Sequence, residues 1–117
     1  MTVAASVPRV DATHYTYRVR WHAPDGQHLA TVAEFPGLSC LEDSPGEALE
    51  GLIGVVEAVL DDMASSNEEV PVPLSDRKFS GKFQVRIPED LHRSLAIAAA
   101  EQGISINRLA SDRLARG

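Results

Sequence analysis

A single cysteine, Cys40, in 117 residues excludes an intrachain disulfide framework and suits a reducing cytosol. No apolar run approaches the roughly 18 residues that a membrane-spanning helix requires. The opening stretch MTVAASVPRVDATHYTYRVR lacks the continuous apolar core of a secretory signal. These absences predict a cytoplasmic protein with no membrane partner. Repeats and low-complexity tracts are also missing, and the length allows one modest domain or two small ones that lean on a partner. Positive charge is the scarcest feature of the first two thirds. Residues 1–76 hold three Lys/Arg (Arg9, Arg18, Arg20) against 13 Asp/Glu, a net of −10. Residues 77–117 hold eight Lys/Arg against four acids (Glu89, Asp90, Glu101, Asp112), a net of +4. The formal total of −6 therefore averages two regions of opposite sign, which predicts two modules with different partners.

Residues 1–12 read as a flexible N-terminal tail. In HYTYRVRWHA, Tyr15, Tyr17, Val19 and Trp21 alternate with Thr16, Arg18, Arg20 and His22, the period-two pattern of a half-buried strand. PDGQ follows as a hairpin turn, HLATVAEF returns as a second strand until Pro36-Gly37, and LSCLE supplies a short third. Ser44, Pro45 and Glu47 form the start of a capped helix. Leu49, Leu52, Ile53, Val56, Val59, Leu60 and Met63 then recur at helical spacing, with Glu50, Glu57 and Asp61 off the stripe. The result is a β-β-β-α unit over residues 13–64, with an extension to about residue 74 left open. Residues 65–78 read as a linker or an edge strand, because Pro71 and Pro73 are tolerated only at an edge.

Residues 79–117 read as strand, helix, glycine turn, helix. KFQVRI alternates Lys82, Gln84 and Arg86 with Phe83, Val85 and Ile87. Pro88 opens a helix whose first turn carries Glu89 and Asp90, where the helix dipole favours anions. Leu91, Leu95, Ala98 and Ala99 form its apolar face, and Gly103 ends it. Ser105 caps a second helix with Ile106, Leu109, Ala110 and Leu114. So small a unit cannot cover Phe83, Val85 and Ile87, and a lone strand leaves two unpaired edges. Antiparallel pairing with a second copy meets both needs, giving a dimer core of Phe83, Val85, Ile87, Leu91, Leu95 and Leu109. It also brings Lys82, Gln84 and Arg86 of both chains onto one face. A two-stranded ribbon fits the DNA major groove, where Arg and Lys favour guanine and Gln favours adenine.

The stretch GKFQVRIPEDLHRSLAIAAAEQGISINRLASDRL resembles the ribbon-helix-helix DNA-binding domain of the Arc/MetJ type. That resemblance implies base contacts by Lys82, Gln84 and Arg86, and a phosphate held at Ser105, Ile106 and Asn107 by the amides of a helix start. EFPGLSCLEDSPGEALEGLIGVVEAVLDDM is similar to the HicB antitoxin domain, although Leu41-Glu42-Asp43 stands where that family more often has Gly-Asp. The two resemblances together imply an α+β protein. Its front would be a partial RNase-H-like β-β-β-α(-β) domain, and its tail a ribbon-helix-helix that dimerises through an antiparallel β-ribbon. They also imply an antitoxin that binds a small, basic, mRNA-cleaving HicA-like toxin and represses its own operon at operator DNA. The expected partners are therefore a second copy (a dimer or a tetramer), the toxin and double-stranded DNA. Two alternatives remain open: an orphan regulator without a toxin, and a dimeric interaction module that binds no DNA.

No enzyme is expected. An RNase-H-type nuclease gathers several carboxylates on strands and a helix to hold two metal ions. Here the first two strands contribute only Glu34. His22 and His28 flank the hairpin turn and could face one another, yet a third metal ligand at suitable spacing is missing. Cys40 reads as a space filler and His92 as a surface residue. No cofactor or metal is expected. Glu50, Glu57, Asp61 and Asp62 could line a toxin-facing stripe or equally form the solvated face of a helix.

Overall fold

Aromatic and β-branched residues at alternate positions build the first hairpin in the computed structural model, which describes residues 10–117. Strand β1 (Tyr17–His22) pairs antiparallel with β2 (Gln27–Val32), from Tyr17 opposite Val32 to His22 opposite Gln27. A single helical turn, Ala23–Asp25, joins them, and Gly26 closes it at φ 59°, a left-handed conformation that glycine adopts without strain. Strand β3 (Ser39–Glu42) adds to the other side of β2, giving a three-stranded sheet in the order β1-β2-β3. The second strand was expected to reach residue 35 but stops at Val32. The Phe35 amide turns back to the Val32 carbonyl at 3.2 Å and the Leu38 amide to the Phe35 carbonyl at 3.0 Å, which bends the chain before Pro36-Gly37.

Helix α1 (Pro45–Ser65) covers one face of this sheet. The Ser44 hydroxyl accepts a hydrogen bond from the Glu47 amide at 3.1 Å and satisfies one of the unpaired amides of the first turn. Ala48, Leu52, Val56 and Leu60 are buried at four-residue spacing, against Ala30 and Val32 of β2. Tyr17, Val19, Cys40 and Ile53 pack around them. Gly51 lets the helix approach β3 closely, since a Cβ there would lie 2.7 Å from Cys40 Sγ. The helix stops two residues later than the apolar stripe implies. Asn67 adopts φ 59°, and the Asn67 and Glu68 amides return to the carbonyls of Ala64 and Met63.

The tail expected over residues 1–12 needs a boundary change. Residues 1–9 lie outside the described residues, but residues 10–12 are packed. Asp11 accepts from the Thr13 amide at 2.8 Å and caps a helical turn at Ala12–His14, Ala12 is buried, and Val10 lies against the core. The Tyr17 hydroxyl also donates to the Ala12 carbonyl at 2.7 Å. Burial first, then the nearby Glu34 charge, pushes the Tyr17 phenol up to about 12.

Residues 70–77 form no strand, yet they are held to the first unit. The Tyr15 hydroxyl donates to the Pro71 carbonyl at 2.8 Å, Pro73 is buried, and Val70 packs on the core. Glu34 makes the tightest join. Its carboxylate accepts from the Thr16 amide, the Thr16 hydroxyl and the Leu74 amide, each at 2.9 Å. Burial opposes ionisation of Glu34, but the Leu74 and Thr16 hydrogen bonds together hold its carboxyl below the ordinary value. A carboxyl lowered by folding stabilises the fold fully above its unfolded value of 4.5, and this contribution is lost as pH falls through the lowered folded value. Glu34→Ala is therefore expected to flatten the acid limb of a stability–pH profile. It should also speed hydrogen exchange at the Leu74 amide at neutral pH. Unchanged exchange there would show that the carboxylate does not hold this segment.

The chain divides between Lys78 and Phe79. With that boundary the first unit carries five Lys/Arg against 13 acids, and the second six against four, nets of −8 and +2. The second unit contains helix α2 (Glu89–Gln102) and helix α3 (Ile106–Ala115). Gly103 at φ 68° stops α2: its amide bonds to the Ala100 carbonyl, and the Ile104 amide reaches Ala99. Ser105 then caps α3 through the Arg108 amide at 3.0 Å. The expected strand over 82–87 is not formed. A strand exists only where a neighbour completes its ladder, and the second unit has no other strand to offer.

Candidate nucleic-acid interface

Lys82, Gln84 and Arg86 are all exposed, as the alternating pattern requires of its polar half. Its apolar half is also uncovered: Phe83 is 72% and Val85 64% exposed, and Ile87 is partly so. Within this unit the buried side chains are Ala99 and Leu109, while Leu91, Ile97 and Leu114 face outward. Of the six positions expected in a dimer core, the single chain thus buries Leu109 and half-buries Ile87 and Leu95. The other three are open. Phe83, Val85, Leu91, Ile97 and Leu114 thus leave apolar surface uncovered in the single chain.

The turn before this segment is locally ordered. Gly81 has φ 82°, and the Ser80 hydroxyl accepts from the Lys82 amide at 3.1 Å while donating to the Lys82 carbonyl at 3.3 Å. At the start of α3, Ser105, Ile106 and Asn107 are exposed together. The Ser105 hydroxyl is engaged by Arg108, whereas the Ile106 and Asn107 amides belong to the first turn and have no carbonyl behind them in the helix. Glu89 and Asp90 sit in the first turn of α2, and His92 is exposed on that helix.

The described residues of the first unit include no group of three or more His, Cys, Asp or Glu placed to hold a metal ion, and its exposed His14 lies between Asp11 at 3.8 Å and Asp76 at 3.7 Å. Strand register separates the two histidines that flank the hairpin turn: His28 lies opposite Trp21 and His22 opposite Gln27, so they point to opposite faces of the sheet. His28 instead meets the Trp21 ring edge-on at 5.1 Å. Cys40 is half-buried beneath α1. Burial first, then the Glu42 carboxylate, raises its thiol above the ordinary value, which disfavours the reactive thiolate. Glu50, Glu57, Asp61 and Asp62 are exposed on α1, and Glu57 and Asp61 border an open depression of about 490 Å³ with Val10, Asp11, Ala12 and Leu60. The sequence pattern gave no sign of Glu34 as an anchor, because its three donors lie 18 and 40 residues away. Ala48 was also not anticipated, since alanine carries little apolar signal.

These features define a small α+β chain with an acidic sheet-and-helix unit and a basic helix pair whose leading segment is unpaired. Residues 65–114 match the model of the HicB family. That match supports a HicB-like antitoxin, a component of a toxin–antitoxin system. It covers the residues after α1 and most of the second unit, while the stretch at 34–63 that resembles the HicB domain lies before it. No curated protein and no solved structure matches the chain. No helix among the described residues is long and apolar enough to cross a membrane.

Proposed function

We propose that the protein is the antitoxin of a HicAB-like module. Its second unit pairs with that of another copy through residues 82–87, and the resulting ribbon reads operator DNA. The observation that carries this reading is the alternating segment itself, exposed on both its polar and its apolar side within one chain. A second copy would complete the ladder and cover Phe83, Val85 and Ile87. Lys82, Gln84 and Arg86 would then enter the major groove, with Ser105, Ile106 and Asn107 against the backbone phosphates. The acid excess of the first unit suits a basic toxin, and complementary charge of this kind chiefly speeds association and selects the partner. The reading assigns no reaction to the chain and requires no cofactor or metal. Toxin cleavage of mRNA would stop because the antitoxin occupies the toxin.

Operator binding provides the test. On upstream DNA with inverted half-sites, Arg86→Ala and Gln84→Ala should each weaken specific binding by about 1–3 kcal/mol and relax preference at their own base positions. Parent-like affinity in both variants would overturn the ribbon assignment. Co-purification with the product of a short, basic neighbouring reading frame tests the toxin half separately.

A further inference from the structure

We propose that the free edge of β1 is a strand-addition site for a protein partner whose edge strand alternates apolar and acidic residues. The proposal does not depend on the operator-binding reading. Three observations carry it.

The first is that β1 is a regular edge with no strand beyond it among the described residues. It lies outermost in the order β1-β2-β3, and its six residues pair with β2 without a bulge or a proline. The opposite edge, β3, is four residues long. Edges are commonly blunted by shortness, bulges, proline or a covering element, and β1 shows none of the first three. The Ala33 amide donates to the Thr16 carbonyl and so continues the ladder toward β2, whereas the alternate backbone groups of Tyr17, Val19 and Trp21 point away from β2 and find no hydrogen-bond partner among the described residues.

The second is the charge pattern. Arg18 and Arg20 project from the sheet face that α1 does not cover, in rows with Thr31 and Ser39 and with Leu29 and Leu41. Both are exposed, and neither has an ion-pair partner among the described residues. They are the two cations between residues 10 and 76, a stretch that holds 13 acids. An incoming strand with acids in register would oppose them directly, the arrangement that favours cross-strand pairs. A second copy of β1 is disfavoured as the occupant, because antiparallel registers centred on Arg18, Val19 or Arg20 place arginine against arginine, and the fully overlapped register sets Arg18 against Trp21 and Arg20 against Val19. The basic alternating segment at 82–87 meets the same objection.

The third is Trp21. It lies on the other face of β1, in line with the packed Tyr17 and Val19, yet is 57% exposed and supported on one side by His28. An added strand would cover its free side with its own apolar residues. Large aromatic rings in this half-supported position are the commonest anchors of protein interfaces.

Trp21 is the single tryptophan in the chain, so its fluorescence reports this edge alone. The full-length protein is titrated with two synthetic peptides, one alternating valine with glutamate and the other valine with lysine, while amide exchange is followed along β1. The expected result is a saturable Trp21 shift with the glutamate peptide, about tenfold tighter than with the lysine peptide. Alternate β1 amides should become protected, and binding should weaken at high salt. In the Arg18→Glu/Arg20→Glu variant the preference should invert toward the lysine peptide. That reversal also shows that the variant is folded. Absence of saturation with either peptide, equal affinity for both, or a preference unchanged by charge reversal would overturn the proposal and leave the arginines as edge protection alone.

Discussion

A Val85→Glu variant is expected to sediment as a monomer at concentrations where the parent pairs, and to give no specific operator shift. Val85 is 64% exposed in the single chain, so the substitution costs the isolated unit little. In the proposed ribbon the same position lies in the centre of the shared core. There the carboxylate must be buried without a cation or be protonated, and each copy carries the penalty once. Several kcal/mol per buried charge corresponds to more than a hundredfold loss of pairing. Sedimentation equilibrium and an operator mobility shift measure the two consequences independently. A variant that still dimerises would place the contact between copies elsewhere, and dimerisation without DNA binding would separate the two roles of the segment. Gln84→Ala should show the converse, with pairing intact and DNA affinity reduced.

Leu52→Ala is expected to destabilise the first unit by about 2–5 kcal/mol, the usual range for a fully buried leucine whose cavity cannot collapse. Leu52 has no exposed surface and lies at the middle of the buried stripe from Ala48 to Leu60. Small domains are stable by only about 5–15 kcal/mol, so the loss is a large share of the total. Urea unfolding followed by Trp21 fluorescence should show a lower midpoint with a similar slope. Val55→Ala on the same helix is a suitable control, because Val55 is 39% exposed and should change stability far less. Equal effects of the two substitutions would contradict the placement of α1 on the sheet.

Local signals in the sequence carry much of this fold. Ser44, Pro45 and Glu47 mark the start of α1 because a helix N-terminus has specific amides to satisfy, and the Ser44–Glu47 hydrogen bond forms as that chemistry requires. Gly103 and Ser105 mark the joint between α2 and α3 for similar local reasons. Alternation along Tyr17–His22 reports a strand because half of it meets the core. Non-local features were not legible. Nothing near Glu34 in the chain indicates that it will collect Thr16 and Leu74, and this contact ties down residues otherwise read as a linker. The exposed segment 82–87 shows a different limit. Its alternation is as clear as that of β1, but a pattern encodes which side is to be buried and not what will bury it. Among the candidate contact residues, exposure of Lys82, Gln84 and Arg86 follows from the pattern, whereas a bound nucleic acid does not.

The second unit encloses only Ala99 and Leu109 within its own chain, and this has a consequence for dosage. On the pairing proposed here, most of its folding free energy arises at the contact between copies, so folding and association become one equilibrium governed by mass action. Dilution would then unfold this unit while leaving the first unit, with its own buried stripe, intact. The cellular concentration of the protein would itself act as an input, setting how many copies are competent to hold DNA without any ligand or modification.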